Sequence, residues 1–383
     1  MTLKRKIMIL TGTRADYGLL KNIISKVHSH ASLELKLVVT GSHLSSAHGS
    51  TIKEIEEDGF PIAYKLPILE TSSSVVHSTA LAMDGLNSIL LKDRPDILLV
   101  LGDRYESFAA CTAALFNNIP VAHVHGGELT FGAIDDALRH SMTKMAWWHF
   151  TSAEEYKKRV IHLGEAPDRV YNVGATAVDA LANIDVSSTE LEDFLGIKLV
   201  SPIVLATFHP ETLSPGKATD HVMELWEGLK DSKPGTVIFT KANADSEGSI
   251  VNDLLSELIA KVEIPNSVLV SSLGQRRYLG LLKLADVGLG NSSSLVIEAP
   301  MLNTPSVNVG RRQEGRLRSP SILDVAYDSS EITKALNKAF SLEFKNSLKG
   351  KAHPFGTPGV ADRIVTILAS ASLPKNLVKG FYE

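Results

Sequence analysis

Short apolar runs bounded by turn residues alternate along the chain with longer stretches of helical periodicity. This alternation is typical of parallel βα units. Near-continuous Val, Ile and Leu runs, such as Ile97–Leu101, indicate strands covered on both faces. The first set of predicted strands comprises Lys6–Thr11, Glu34–Thr40, Asp96–Leu101, Pro120–Val124, His149–Thr151 and Arg169–Val173. The second set comprises Ile203–Thr207, Thr236–Thr240, Ser267–Val270, Val287–Gly290 and Pro305–Val309.

The two successive sets of strands predict an α/β protein with two doubly wound domains. The length of 383 residues allows each domain to bury its own core. We expect the join within Leu181–Ser201, where the composition is that of a linker or a surface helix.

The composition excludes several classes of protein. A hydrophobic share of 44%, a charged share of 21% and a net charge of −4 leave no basic surplus for nucleic acid or an anionic membrane. The first apolar run is too short for a signal peptide, and no run reaches the ~18 residues of a membrane span. The lone Cys111, on a predicted buried helix face, excludes an internal disulfide framework. We therefore expect a cytoplasmic protein with no nucleic-acid or membrane partner.

Polar residues directly follow most of the predicted strands. Because ligands bind outside the carboxyl ends of strands in open α/β sheets, these residues form the candidate site. In the first half they are Gly12–Asp16, Gly41–His43, Gly102–Arg104 and His125–Glu128. In the second half they are Phe208–Thr212, Lys241–Asp245, Asn291–Ser294 and Gly310–Gly315.

Acidic residues are concentrated in the first half of the candidate site. Asp103, Glu128 and Asp135 are expected at one sheet edge, where neighbouring carboxylates can shift one another's pKa and transfer protons. Asp136 has a simpler interpretation, as a helix cap or as a salt-bridge partner of Arg139 on the following helix.

The second half offers groups that suit a phosphate or a nucleotide. Ser292 and Ser293 precede a predicted helix, whose N-terminus favours phosphate, although a plain helix cap is the alternative. Glu298, one turn into that helix, can reach ribose hydroxyls or be an exposed helix carboxylate. Arg311 can face a phosphate or be solvated. His209 precedes a proline suited to a first helical turn, and it can bond a phosphate oxygen or be structural.

Arg14 and Arg104 follow strands of the first half, so arginines from both halves can converge on one anion. Asp16 can simply cap the first helix. No CxxC or HExxH spacing indicates a metal, although His123 and His125 are expected to share a strand face. The absence of a GxGxxG fingerprint and of a Walker lysine loop argues against a nicotinamide dehydrogenase and a P-loop enzyme.

Taken in order, the motifs form a specific set: Gly12–Gly18, Leu101–Glu106, His125–Glu128, Ile134–Asp136, Arg139–His140, Phe208–Thr212, Gly290–Ser294 and Arg312–Arg316. With them the chain resembles the UDP-N-acetylglucosamine 2-epimerase family from about residue 6 to the end. It is most similar to the hydrolysing bacterial branch, which supplies N-acetylmannosamine for sialic acid.

The resemblance implies a two-domain, glycosyltransferase-B-like fold with the active site in the cleft between two Rossmann-like halves. The implied domains are an N-terminal domain of residues 1–180 and a C-terminal UDP-binding domain of residues 181–358. A last segment, about residues 359–383, is expected to cross back to the first domain. A homodimer or tetramer is also implied.

The family's reaction is anti elimination of UDP to give 2-acetamidoglucal, followed by addition of water, without a metal or another cofactor. The resemblance implies that Asp103, Glu128 and Asp135 are the acid–base carboxylates, supported by Arg139 and His140. It implies UDP contacts, and for His209 also a catalytic role, at Arg14, Arg104, His209, Asn243, Ser292, Ser293, Glu298 and Arg311. His43 and His125 are implied on the sugar side.

Some relatives carry Glu at the position of His125, which leaves open the group that takes the proton. The expected activity converts UDP-N-acetylglucosamine and water to N-acetylmannosamine and UDP. The nearest alternative is the same reaction on a UDP-2,4-diacetamido-trideoxyhexose, for legionaminic acid. A glycosyltransferase of the same fold and a nucleotide-sugar-binding regulator are the others, and the regulator would not need three converging carboxylates.

Overall fold

The computed structural model describes residues 4–45, 50–70, 74–131, 134–182, 184–211, 216–242, 247–351 and 353–383. Within these residues the chain forms two parallel sheets, and each sheet belongs to its own compact unit. One unit comprises Met1–Glu128, Ile134–Ala180 and Phe355–Glu383. The other comprises Leu129–Ala133 and Leu181–Pro354.

The first sheet has the strand order β3-β2-β1-β4-β5-β6-β7, with every neighbouring pair parallel. Its strands are β1 (Arg5–Thr11), β2 (Leu33–Thr40), β3 (Ile62–Leu66), β4 (Ile97–Leu101), β5 (Val121–Val124), β6 (Trp148–Thr151) and β7 (Val170–Asn172). The helices of this part are α1 (Arg14–Ser29), α2 (Ile52–Glu57), α3 (Val75–Lys92), α4 (Tyr105–Phe116), α5 (Asp135–Met145), α6 (Glu154–His162) and α7 (Ala177–Ala182). The fully buried β4 explains the continuous apolar run of its sequence.

The second sheet has the order β10-β9-β8-β11-β12-β13, again parallel throughout. Its strands are β8 (Ile203–Thr207), β9 (Thr236–Thr240), β10 (Ser267–Val270), β11 (Val287–Gly290), β12 (Ser306–Val309) and β13 (Ile322–Val325). The helices are α8 (Ser188–Leu195), α9 (Ala218–Ser232), α10 (Gly248–Ala260), α11 (Gly274–Leu284), α12 (Glu298–Met301), α13 (Ser329–Phe340) and α14 (Leu342–Leu348). The core on one face of this sheet centres on Trp226, which stacks on Phe239.

The strands predicted from the sequence are confirmed, with ends that differ by at most about one residue. The sequence analysis missed β3 and β13, and both are edge strands. Their residues are half-buried or exposed, so these strands lack the apolar runs that mark the central strands. Cys111 lies fully buried on α4, as predicted.

The last helix, α15 (Val360–Ser370), packs within the first unit against α1. Asp179 on α7 accepts hydrogen bonds from the N–H groups of Gly359, Val360 and Ala361 at 2.7, 3.0 and 2.7 Å, which caps the helix. The domain limits of 1–180 and 181–358 stay predictions. Among the described helices, none is long and apolar enough to cross a bilayer.

Candidate active site

Each sheet has one point where the strand order reverses, between β1 and β4 in the first and between β8 and β11 in the second. At such a point the loops leaving the two strands diverge and open a crevice at the carboxyl edge. The candidate residues of each unit lie on the loops around these two points.

In the first unit, the buried carboxylate of Glu106 gathers three loops. Arg104 donates to both of its oxygens, each at 3.1 Å. A methyl group on Gly12 would lie 3.3 Å from Glu106, and one on Gly41 would lie 2.6 Å from the Gly12 carbonyl oxygen. Glycine at both positions therefore lets the loops after β1 and β2 close on this carboxylate. Arg104 meets any substrate with a guanidinium that is already paired.

Asp16 caps α1, as its simpler interpretation predicted. Its carboxylate accepts from the N–H groups of Gly12 at 3.0 Å and Thr13 at 3.1 Å, and the Thr13 hydroxyl accepts from the Asp16 N–H at 3.3 Å. Burial raises the pKa of Asp16 to about 6, against the opposing hydrogen bonds. Arg14 is the first residue of the same helix.

His43 lies beneath this loop with its ring buried. Its Nε2 lies 3.0 Å from the Thr11 hydroxyl and its Nδ1 lies 2.8 Å from the Thr51 hydroxyl, so both ring nitrogens have protein partners. Burial lowers the pKa of His43 to about 4. The ring holds the turn after β2 in place, and its predicted contact with the sugar stays a prediction.

Asp103 and Arg139 meet at the carboxyl edge of β4. The Arg139 guanidinium donates to Asp103 Oδ2, and the Arg139 side chain is almost fully buried. Burial alone would lower the pKa of Arg139, but the carboxylates of Asp103, Glu128 and Asp136 raise it. The structure thus gathers the carboxylates named from the sequence around one buried cation.

Glu128 is buried and lies among groups from three neighbouring strands. The Ser152 hydroxyl after β6 donates to Glu128 Oε1 at 2.8 Å, and His125 Nδ1 lies 3.2 Å from the same oxygen. The Thr176 N–H after β7 donates to His125 Nε2 at 3.2 Å. A carboxylate held in this way can accept and return a proton at a fixed position.

Asp135 and Asp136 open α5, so the helix begins two residues earlier than the predicted start at Ala137. Asp136 lies 3.5 Å from His140 Nε2, one turn along the helix. The spacing of Asp135 and Arg139 places both on one face of α5.

His123 and His125 do not share a strand face, and that prediction is wrong. The strand ends at Val124, and His125 has a φ of 66°, so the alternation of side chains stops before it. His123 Nε2 donates to the Gly102 carbonyl oxygen at 2.7 Å, and burial lowers the pKa of His123 to about 3. In the part of the chain that the structure describes, no three His, Cys, Asp or Glu side chains form a group that could hold a metal ion.

In the second unit, Asn291 and His209 join the two loops of the switch point. The His209 N–H donates to Asn291 Oδ1 at 2.8 Å, and Asn291 Nδ2 donates back to the His209 carbonyl oxygen at 2.7 Å. Burial lowers the pKa of His209 to about 3, and the nearby Arg312 guanidinium lowers it further. His209 is therefore a neutral imidazole at the sheet edge.

Glu211 organises the loop after β12. Its Oε1 accepts from the N–H groups of Arg311 at 2.8 Å and Arg312 at 3.0 Å, and from the Tyr327 hydroxyl at 2.7 Å. The side chain of Arg311 is largely exposed and pairs with Glu314 at 2.8 Å.

The serines after β11 form a 3₁₀ turn at Ser293–Leu295, and α12 begins only at Glu298. The predicted helix with Glu298 one turn inside it is therefore wrong at its start. The Ser292 hydroxyl accepts from the Ser294 N–H at 3.4 Å, and the Ser294 hydroxyl lies against the hydroxyl of Tyr278.

Two other predictions of the second unit have different outcomes. The helical turn predicted at Pro210 is absent from the described residues around it, since α9 begins at Ala218. Asn243 lies outside the described residues.

The sequence analysis missed several residues that hold this site: Glu106, Ser152, Thr176, Glu211 in its contact with Tyr327, and Asn291 in its bonds to His209. Ser152 and Thr176 follow β6 and β7 directly. The rule that site residues follow strands would have found them, had it been applied to these two short strands.

The comparisons with known proteins agree with this arrangement. The family described as UDP-N-acetylglucosamine 2-epimerase matches residues 25–369. The chain belongs to the UDP-N-acetylglucosamine 2-epimerase family. The family assignment made from the sequence motifs is confirmed.

Two relatives match over nearly their whole lengths. The chain is 38% identical to a GDP/UDP-N,N'-diacetylbacillosamine 2-epimerase (hydrolyzing) of Campylobacter jejuni, over 99% of both chains. It is 34% identical to polysialic acid biosynthesis protein P7 of Escherichia coli, over 99% of this chain and 97% of that protein.

The fold matches a solved family member. The UDP-GlcNAc 2-epimerase of Neisseria meningitidis bound to UDP-GlcNAc superposes with a TM-score of 0.82 at 21% identity, over 95% of this chain and 99% of that chain. The predicted fold, two parallel α/β domains of the glycosyltransferase-B-like type, is thereby confirmed.

Proposed function

We propose that this enzyme is a hydrolysing 2-epimerase that converts a UDP-2-acetamido sugar and water to the free 2-epimer and UDP. The observation that carries the proposal is the group of buried, partnered acidic side chains at the carboxyl edge of the first sheet. Asp103 is bound by Arg139, and Glu128 is bound by Ser152 and His125. A protein that only binds a nucleotide sugar has no need to bury ionised groups of this kind.

The reaction needs two proton transfers and a leaving group with negative charge. In the first step a base takes the proton from C2, the C1–O bond breaks, its electron pair leaves on the β-phosphate oxygen of UDP, and a C1=C2 double bond forms. In the second step water adds its hydroxide to C1 and a proton reaches C2 from the opposite face. We assign these proton transfers to Asp103, Glu128 and Asp135, with Arg139 holding Asp103.

The second unit is assigned to the UDP moiety. Its sheet edge offers neutral donors, among them His209 and the hydroxyls of Ser292 and Ser293, which suit a nucleoside diphosphate. Together with Arg14, Arg104, Asn243, Glu298 and Arg311 these are the proposed UDP contacts. His43 and His125 remain proposed for the sugar side, and localisation and assembly stay predictions.

We propose UDP-N,N'-diacetylbacillosamine as the sugar nucleotide, because the relative at 38% identity is named for that substrate. The second candidate is UDP-N-acetylglucosamine, which the sequence analysis placed first. It is favoured by the family description and by the relative at 34% identity, named for polysialic acid biosynthesis. The two sugars differ at C4 and C6, so they compete for the same chemistry at C1 and C2.

The test is incubation of the enzyme with each sugar nucleotide in heavy water, with the products followed by NMR. We expect UDP and a free manno-configured sugar carrying deuterium at C2, with the larger kcat/KM for UDP-N,N'-diacetylbacillosamine. A larger kcat/KM for UDP-N-acetylglucosamine would reverse the order of the two substrates. Release of unlabelled gluco-configured sugar, or turnover only after addition of an acceptor, would contradict the epimerase and favour a glycosyltransferase.

A further inference from the structure

Glu128 Oε1 accepts two donors from different loops. The Ser152 hydroxyl lies at 2.8 Å and His125 Nδ1 at 3.2 Å, and all three side chains are buried. Ser152 follows β6, while His125 and Glu128 follow β5. Two donors on one oxygen fix the plane of the carboxylate and favour its ionised form.

The proton of the His125 ring can be placed from its other contact. The backbone N–H of Thr176 donates to His125 Nε2 at 3.2 Å, so Nε2 must carry a lone pair. In the neutral ring the proton is then on Nδ1, the atom that faces Glu128. The ring therefore donates to the carboxylate, and a backbone amide fixes its tautomer.

The backbone around His125 is built for this orientation. His125 has a φ of 66°, a left-handed conformation that costs a non-glycine residue roughly 1 kcal/mol or more. Its N–H donates to the Phe150 carbonyl oxygen at 2.8 Å, which holds the conformation. Two residues on, a methyl group at Gly127 would lie 2.5 Å from the Tyr156 carbonyl oxygen, so the loop passes directly over α6.

The loop that carries Thr176 is also fixed. The Ala175 N–H donates to the Phe355 carbonyl oxygen at 2.9 Å, where the last segment of the chain returns to this unit. A methyl group on Gly356 would lie 2.9 Å from Gly174 Cα, so two glycines allow this close approach. The returning segment therefore supports the amide that orients His125.

We propose that His125 is a positioning residue that holds Glu128 as an oriented carboxylate through its Nδ1–H, with Ser152 as the second donor and the Thr176 amide fixing the ring. The inference rests on the proposed function, in which Glu128 transfers protons, and it gives His125 a role other than contact with the sugar. His125 neither gains nor loses a proton in this scheme.

The same unit contains a matched control pair. His149 is buried in β6, and its Nε2 lies 3.2 Å from the buried Glu165, the same separation as in the His125–Glu128 pair. Glu165 precedes β7, so this second pair lies toward the amino edge of the sheet, away from the proposed chemistry. Loss of a buried His–Glu contact can thus be compared at both edges of one sheet.

The experiment measures kcat, KM and the pH profile of His125→Ala, His125→Asn, Ser152→Ala and His149→Gln, with the sugar nucleotide that the wild type turns over. We expect His125→Ala to lower kcat roughly 10- to 100-fold with little change in KM. His125→Asn should recover part of the loss, because its amide can donate at the Nδ1 position. His125→Ala and Ser152→Ala should move the acidic limb of the profile to higher pH, while His149→Gln lowers only the melting temperature.

Three results would overturn the inference. One is a wild-type pH profile in both His125→Ala and Ser152→Ala, and another is an equal shift in His149→Gln. The third is an NMR spectrum of ¹⁵N-histidine-labelled protein that shows the His125 proton on Nε2, which needs no turnover. If the wild type turns over neither sugar nucleotide, the proposed function fails and this inference falls with it, which separates the two cases.

Discussion

At the carboxyl edge of the first sheet, buried carboxylates are bound by side chains, whereas at the same edge of the second sheet they bind the backbone. Asp103 and Glu128 accept from Arg139, Ser152 and His125. In the second unit, Glu211 accepts from two backbone N–H groups, and Asn291 forms two bonds to the His209 backbone.

The difference in partners corresponds to a difference in task. A carboxylate whose donors are side chains stays chemically active, because its own charge is what the donors hold in position. A carboxylate or amide whose partners are backbone groups fixes the shape of a loop. We therefore expect substitutions at the first edge to affect turnover, and substitutions at the second edge to affect UDP affinity.

The strongest test replaces Glu128 with Gln, which keeps the volume and removes the charge. We expect kcat to fall by about 10²- to 10⁴-fold, because a general acid–base group is lost. UDP affinity, measured by calorimetry, should change by less than about threefold. Asp103→Asn should behave likewise in kcat but also lower the melting temperature, because the buried Arg139 loses the charge of a partner. Loss of UDP binding in both variants would contradict the division between the edges.

The second test applies to the other edge. Asn291→Ala leaves the buried N–H and C=O of His209 without these partners, at a cost of roughly 1–3 kcal/mol. We expect UDP affinity to fall by about 10- to 100-fold, and His209→Ala to fall within the same range.

The matched control for this edge is Asn266→Ala. Asn266 Nδ2 donates to the Lys198 and Gly235 carbonyl oxygens at 2.7 and 3.2 Å, near the amino ends of the same sheet. This variant should lose stability in a thermal melt and keep its UDP affinity. An equal loss of UDP affinity in Asn266→Ala and Asn291→Ala would mean that unfolding, and not the switch-point loops, explains the result.

The central strands could be predicted because both of their faces are buried, and their apolar runs are therefore continuous. The same reason explains why β3 and β13 were missed, since each lies at an edge and exposes part of its side chains. Charged site residues such as Asp103 and Glu128 stood out because they directly follow apolar strands.

The partners of the site residues could not be predicted from the sequence. Asn291 bonds to a residue 82 positions earlier, and Thr176 bonds to a ring 51 positions earlier. Such contacts depend on which strands are neighbours in the sheet, and no local pattern encodes that. The left-handed backbone of His125 was equally hidden, because the position is not a glycine.

A third test uses Glu165, a buried carboxylate at the amino edge of the first sheet. Burial opposes its ionisation, but hydrogen bonds from His149, Lys144 and Lys379 outweigh burial and lower its pKa from 4.5 to about 2. A depressed pKa stabilises the fold above pH 4.5, and this contribution is lost as the pH falls through about 2. Glu165→Gln should therefore cost on the order of 3 kcal/mol at pH 7, with kcat nearly unchanged.

Urea unfolding at pH 7 and at lower pH, compared between the wild type and Glu165→Gln, checks this expectation. The difference in the free energy of unfolding should shrink as the pH is lowered from about 5 toward 3. A difference that stays constant with pH would show that the charge of Glu165 does not contribute, and a large fall in kcat would break the distinction between the two edges of this sheet.

The smallest expected effect concerns the charge of the second edge itself. His209 is buried beside Arg312, and both influences lower its pKa to about 3, so the free protein should hold a neutral imidazole between pH 5 and 8. Because the pKa is depressed, the neutral ring contributes stability above pH about 6.5, and this contribution is lost as the pH falls toward about 3. Histidine ¹⁵N shifts of the free protein, assigned with His209→Ala, should show no protonation of His209 down to pH 5. A titration midpoint near 6.5 would instead place a chargeable group at both edges, and the contrast between a charged edge for proton transfer and a neutral edge for UDP would no longer hold.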